Sequence, residues 1–212
     1  MISKKNKVKV LIVSLLICGI ILNSLSSLSY ADELNDISRL NSLRIKIEND
    51  IELNGIPNTN DMDELEKIMN SIEEKTIQRT GNNFWIDLGK GYKMRLDSPE
   101  PTGNPKYHAH VYKGSKEIAS ENADGTKSHG KTLDDIPNKK AREKAKSNSK
   151  WKDYKKKQSK LSEAVKKIKS KYSKSQLKQT QYAKLAKALV IGVLGFVLFS
   201  SMSSWIAFFA II

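Results

Sequence analysis

Cysteine is almost missing from this chain: its 212 residues hold one, Cys18, inside an apolar leader. Without that leader no disulfide can form, and zinc sites built from several cysteines are excluded. Ile17 is also too large to precede a lipoprotein-type cysteine. Arginine is scarce beside lysine, which argues against specific nucleic-acid readout by the basic part of the chain, because lysine lacks the planar fork. Histidine is rare too. His108, His110 and His129 are the only three, and all lie between Lys106 and Gly130.

What is present is unevenly spread. The net charge is +14, but residues 1–31 carry +4, 32–80 carry −6, 81–138 are neutral and 139–212 carry +16. The basic character therefore belongs to one late segment rather than to a uniformly basic nucleic-acid-binding domain.

The first 31 residues read as a signal peptide. Lys4, Lys5, Lys7 and Lys9 form a positive start, Val10 to Leu22 an apolar core of 13 residues, and Ser29-Tyr30-Ala31 a small-x-small cleavage site. An uncleaved anchor is the alternative, and either way the middle of the chain is exported. Residues 32–80 read as an acidic helical hairpin. Ile37, Leu40, Ile47 and Ile51 line the first helix, Asn54-Gly55 and Pro57 stop it, and Asn60 caps a second with Leu65, Ile68, Met69 and Ile72 on one face. Such a hairpin packs on the next domain, and its acidic surface could shield the basic tail.

From Phe84 the period changes to two. Phe84–Leu88 and Tyr92–Leu96 flank Gly89-Lys90-Gly91, and Lys106–Tyr112 and Glu117–Asn122 flank Gly114-Ser115. Residues 82–138 are thus expected to form a small antiparallel β module of about four strands, one face covered by the hairpin or by the helix after Pro137. Residues 139–187 read as a Lys-rich amphipathic helix in which Trp151, Tyr154, Leu161, Val165, Ile168 and Tyr172 recur at helical steps. Residues 188–212 contain no charge, and 25 residues of helix would span about 37 Å, enough for a bilayer core. The expected fold class is α+β: a helical hairpin, a small sheet, then a long basic helix leading into a C-terminal transmembrane helix. The serine cluster from Ser200 to Ser204 could instead break that run or mark a helix contact face.

The chemistry centres on the histidines. Alternate strand residues share a face, so His108, His110 and Tyr112 point one way and Tyr107, Ala109 and Val111 the other. Two imidazoles presented ~7 Å apart on an open sheet surface, with Lys113, Lys116, Lys127 and His129 near in sequence, suit acid–base cleavage of a phosphodiester. One imidazole can take a proton while the other gives one. His108, His110 and His129 are the catalytic candidates in this reading, and Lys113, Lys116 and Lys127 the phosphate-binding ones. Three histidines could alternatively hold a metal, or be ordinary strand and loop residues. In the basic helix, Trp151, Tyr154, Lys166 and Lys167 suit an anionic membrane surface or cell-envelope polymer; a solvated stalk is the plainer alternative.

The runs Ile86–Pro99, His108-Ala109-His110-Val111-Tyr112 and Asn122–Gly130 together resemble the small toxin modules at the C-termini of bacterial polymorphic toxins, many of which are thought to be nucleases. The resemblance covers about 84–138. It implies a site around His108, His110 and His129. The acid–base reading makes RNA the expected substrate with no cofactor, and a toxin would have an immunity protein as its partner. The chain departs from that pattern in continuing into a basic helix and an apolar end. Localisation is expected to be the cell membrane, with the middle of the chain outside, or secreted. The competing expectation has no enzyme: a cell-envelope or bacteriocin-like protein acting through the basic helix and hydrophobic end.

Overall fold

The computed structural model describes residues 32, 34–77 and 84–212; the expected signal peptide and the expected end of the hairpin near Thr80-Gly81 lie outside them. The architecture is α+β. Helix α1 (34–54) and α2 (Thr59–Ile77) precede strands β1 (Phe84–Gly89), β2 (Tyr92–Asp97), β3 (His108–Lys113) and β4 (Lys116–Asn122). A short 3-10 turn (Leu133–Asp135) and helices α3 (Lys139–Ser147), α4 (Ser149–Lys171), α5 (Lys174–Leu177), α6 (Thr180–Leu194) and α7 (Met202–Ile211) follow. The four strands form one antiparallel sheet in the order β1-β2-β3-β4, as hairpin connections dictate. Asn58, rather than the expected Asn60, opens α2: its Oδ1 accepts from the Asn60 N–H at 2.9 Å.

The basic region is not one helix. Asn148 ends α3 and caps α4, accepting from the Lys150 and Trp151 N–H groups. Tyr172 then turns extended and Ser173 caps α5. This division gives α4 two jobs. Its first half covers the apolar face of the sheet: Trp151 is fully buried, Tyr154 meets Tyr107 edge-on at 5.0 Å, and Gln158 accepts from the Tyr107 N–H at 2.9 Å. Its far end enters the helical half, where Lys171 pairs with Glu48 at 2.6 Å and the Tyr172 hydroxyl also donates to Glu48.

Two membrane expectations are overturned. Among the described residues no helix is long and apolar enough to cross a membrane. Gly195 adopts a left-handed φ of 79° and ends α6, a conformation that costs glycine little. Ser201 then caps α7 by accepting from the Ser204 N–H. The apolar run folds back on itself, and Phe199, Trp205, Phe208 and Phe209 pack as a ring cluster. Trp151 is likewise core rather than membrane-facing, and Tyr154 packs on the sheet. Lys166 and Lys167 are exposed, Lys167 pairing with Glu163 one turn back.

The acidic hairpin packs on these basic helices, not only beside them. Glu66 pairs with Lys184 at 2.7 Å, and Glu73 lies 3.6 Å from the buried Lys187. Burial alone would raise the Glu48 carboxyl, but Lys171, Tyr172 and Arg44 outweigh it and hold Glu48 below the usual carboxylate value of 4.5. The native state therefore binds fewer protons there than the unfolded chain, so this contribution is present above that value and lost as pH falls through the lowered one. Glu48→Gln should lower the thermal midpoint at about pH 7 and bring the two proteins together toward about pH 3. Thermal melts across that range check this; a gap that does not narrow would contradict it.

Candidate active site on the polar face of the sheet

The register defines two faces. Tyr92, Met94 and Leu96 on β2, with Ala109 and Val111 on β3, are buried against the helices. The opposite face carries Trp85, Arg95 and Asp97 from β1 and β2, and His108, His110 and Tyr112 from β3. Cross-strand pairs Trp85↔Arg95, Arg95↔His110, His110↔Ser120 and Asp97↔His108 place them side by side. A bulge between Val111 and Tyr112 changes the phase of β4. Val111 pairs with Ala119 but Tyr112 with Glu117, leaving Ile118 extra. That one residue turns Glu117 onto the histidine face, a re-aiming that bulges commonly perform.

His108 and His110 do share a face, their rings edge-to-face at 4.9 Å. The expectation of an open surface fails, however: they are 3% and 4% exposed. The 3.0 Å contact between His110 Nδ1 and Glu117 Oε2 and the 2.8 Å contact between His108 Nδ1 and the Lys106 carbonyl place both Nδ1–H groups as donors. Both Nε2 atoms then face Asp97, at 3.4 Å from His110 and 3.7 Å from His108. Burial pushes the His110 imidazole below its ordinary value, against the upward pull of Glu117, so its neutral form is favoured.

His129 is the histidine that reaches solvent. Ser128 and Lys131 exchange backbone hydrogen bonds of 3.0 and 2.9 Å. The two residues between them, His129 and Gly130, have φ of 51° and 75°, the pair of positive values a type I′ turn requires. A left-handed non-glycine residue is uncommon, and here it sets the His129 ring edge-on to His110 at 5.2 Å. The turn is tied to the sheet by the Ser120 hydroxyl, which donates to the Ser128 carbonyl at 2.5 Å, and by Asn122, which donates to the Lys127 carbonyl at 2.9 Å.

The cation beside the histidines is Arg95. Its Nε and Nη2 hold both oxygens of Asp97 at 2.6–3.0 Å, leaving Nη1 outside that pair. The expected phosphate-binding lysines are elsewhere. Lys113 and Lys116 pair with each other at the end of the sheet, where Lys113 stacks on Tyr92 of the apolar face, and Lys127 points into solvent. Sequence reading missed Arg95, Asp97 and Glu117. The alternation Lys93-x-Arg95-x-Asp97 beside a hairpin partner could have found the first two; the bulge hid the third.

Asp97, His108 and His110 could hold a divalent ion, since one ligand atom from each lies within 4.8 Å of the others and the outer imidazole nitrogens are already oriented. Against this, both Asp97 oxygens already accept from Arg95, a fixed positive charge beside the place an ion would take. No family model, curated protein or solved structure matches the chain.

Proposed function

We propose that this face cleaves RNA by metal-free acid–base transesterification, with Glu117 as base and His129 as acid. The observation that carries the proposal is a half-buried Glu117 and an exposed His129, both in contact with one buried ring. Glu117 is 3.0 Å from His110, and His129 packs edge-on to the same ring at 5.2 Å. Reacting groups must touch substrate, and the nearly enclosed His108 and His110 do not. They become positioning residues, not the acid–base pair expected from the strand pattern. Glu117 removes the proton from a ribose 2′-hydroxyl, whose oxygen attacks the neighbouring phosphorus. The 5′ oxygen departs with a proton from His129, leaving a 2′,3′-cyclic phosphate and a 5′-hydroxyl. Arg95, with Nη1 to spare, neutralises charge building on the phosphorane. The resemblance to toxin modules supports the same reading, and an immunity protein is the partner it would bring. The competing non-enzymatic reading works through the basic helix and the hydrophobic end, in which Trp151, Trp205, Phe208 and Phe209 are buried while Ile211 is 46% exposed.

The full chain incubated with RNA, with and without chelator, tests this. Cleavage that survives chelation and yields cyclic-phosphate ends is expected. Intact RNA, or cleavage abolished by chelator and restored by metal, overturns the proposal.

A further inference from the structure

One group on this face has no part in the chemistry above. Trp85, on the edge strand β1, is 50% exposed, while Trp151 and Trp205 are fully buried. Its ring lies 5.5 Å from Tyr112. The Arg95 guanidinium sits 5.9 Å from the Trp85 ring centroid and 5.8 Å from that of Tyr112, held in place by its bidentate pair with Asp97. From Tyr112 the line of rings continues to His110 at 6.4 Å and to His129. A single half-exposed indole is ordinary on a protein surface; what sets this one apart is its place at the end of a row of rings that shares a guanidinium.

We propose that Trp85, Tyr112 and Arg95 form a stacking subsite for one unpaired nucleobase, so that the substrate is single-stranded RNA. The inference deepens the proposed function and rests on it for the direction of the strand, since the base so held would lead its phosphate toward Arg95, Glu117 and His129. Three features fit a base rather than another occupant. Aromatic faces and a guanidinium plane both stack on heteroaromatic rings. The guanidinium adds a fixed cation next to a polyanion. The subsite also runs without a break into the groups that would process the phosphate. In a duplex the bases are already stacked on each other, so the same surface rejects it.

Because Trp85 is the one exposed tryptophan, intrinsic fluorescence reports on it directly. The full chain is titrated with a 2′-O-methyl oligoribonucleotide, which lacks the free nucleophile and cannot be cleaved, and with the same strand annealed to its complement. Saturable quenching by the single strand and little by the duplex is expected. Trp85→Leu, followed by anisotropy of a labelled strand, should weaken binding by about 5- to 150-fold, and Trp85→Phe should recover most of it. Equal binding of duplex and single strand, unchanged affinity in Trp85→Leu, or Trp85-dependent self-association without quenching by RNA would each overturn the subsite. Failure of the two readings is separable: cleavage with no quenching sinks the subsite alone, and quenching with no cleavage sinks the chemistry alone.

Discussion

Glu117→Gln is expected to reduce RNA cleavage by about 10²–10⁴-fold, the usual worth of a positioned acid or base, with circular dichroism and melting close to those of the parent. The substitution keeps the shape and still accepts from His110 Nδ1, so the ring should stay where it is. What disappears is the ability to take a proton. His129→Ala should give a loss of the same order, and because His129 is exposed its removal opens no cavity. The pH–rate profile separates chemistry from support. The base variant should lose the rise on the acid side of the wild-type bell, and the acid variant the fall on the alkaline side. A merely structural role would lower the whole curve without changing its form. Full activity in Glu117→Gln would remove Glu117 from the mechanism.

The largest stability effect is expected at Trp151. Its side chain is fully buried where α4 lies over the sheet, and α4 also carries Lys171 and Tyr172 into contact with Glu48. Trp151→Ala should cost about 3–5 kcal/mol through lost transfer energy and an unfilled cavity. For a chain of this size that lowers the melting midpoint by about 6–20 °C. Trp151→Phe should be milder, because the indole N–H has no hydrogen-bond partner to lose. Both halves should melt together, since one helix serves both cores. Far-UV and near-UV transitions that separated in the alanine variant would instead show two independent units.

The β module was largely readable before any coordinates. Gly89-Lys90-Gly91 and Gly114-Ser115 marked both hairpins, and period-two alternation placed His108 and His110 on one face. What alternation cannot report is depth. A polar face reads the same in water or under a turn, and the turn after β4 folds back to set His129 against His110. The helical end misled for a related reason. Uncharged residues from Ala188 to Ile212 satisfy the arithmetic of a membrane span. A left-handed Gly195 and a capping Ser201 make them equally good as two short helices filling the interior of a bundle. Trp151 looked like a membrane-surface anchor because a lysine-rich amphipathic helix has the same stripe whether it lies on lipid or on a sheet.

The proposed chemistry also hangs on chain parity. From Lys116 to Asn122 the strand spends one residue, Ile118, out of step with its neighbour. Pairing Ile118 with Tyr112 in strict two-residue alternation would remove no catalytic atom, yet it would send the Glu117 carboxylate through to the side packed by helices. Excising Ile118 would instead leave Glu117 opposite Tyr112. The site is in that sense encoded by a count as much as by a composition. A register that loses the bulge but keeps Ile118 should silence it as thoroughly as losing the carboxylate itself, whereas deleting Ile118 should spare it.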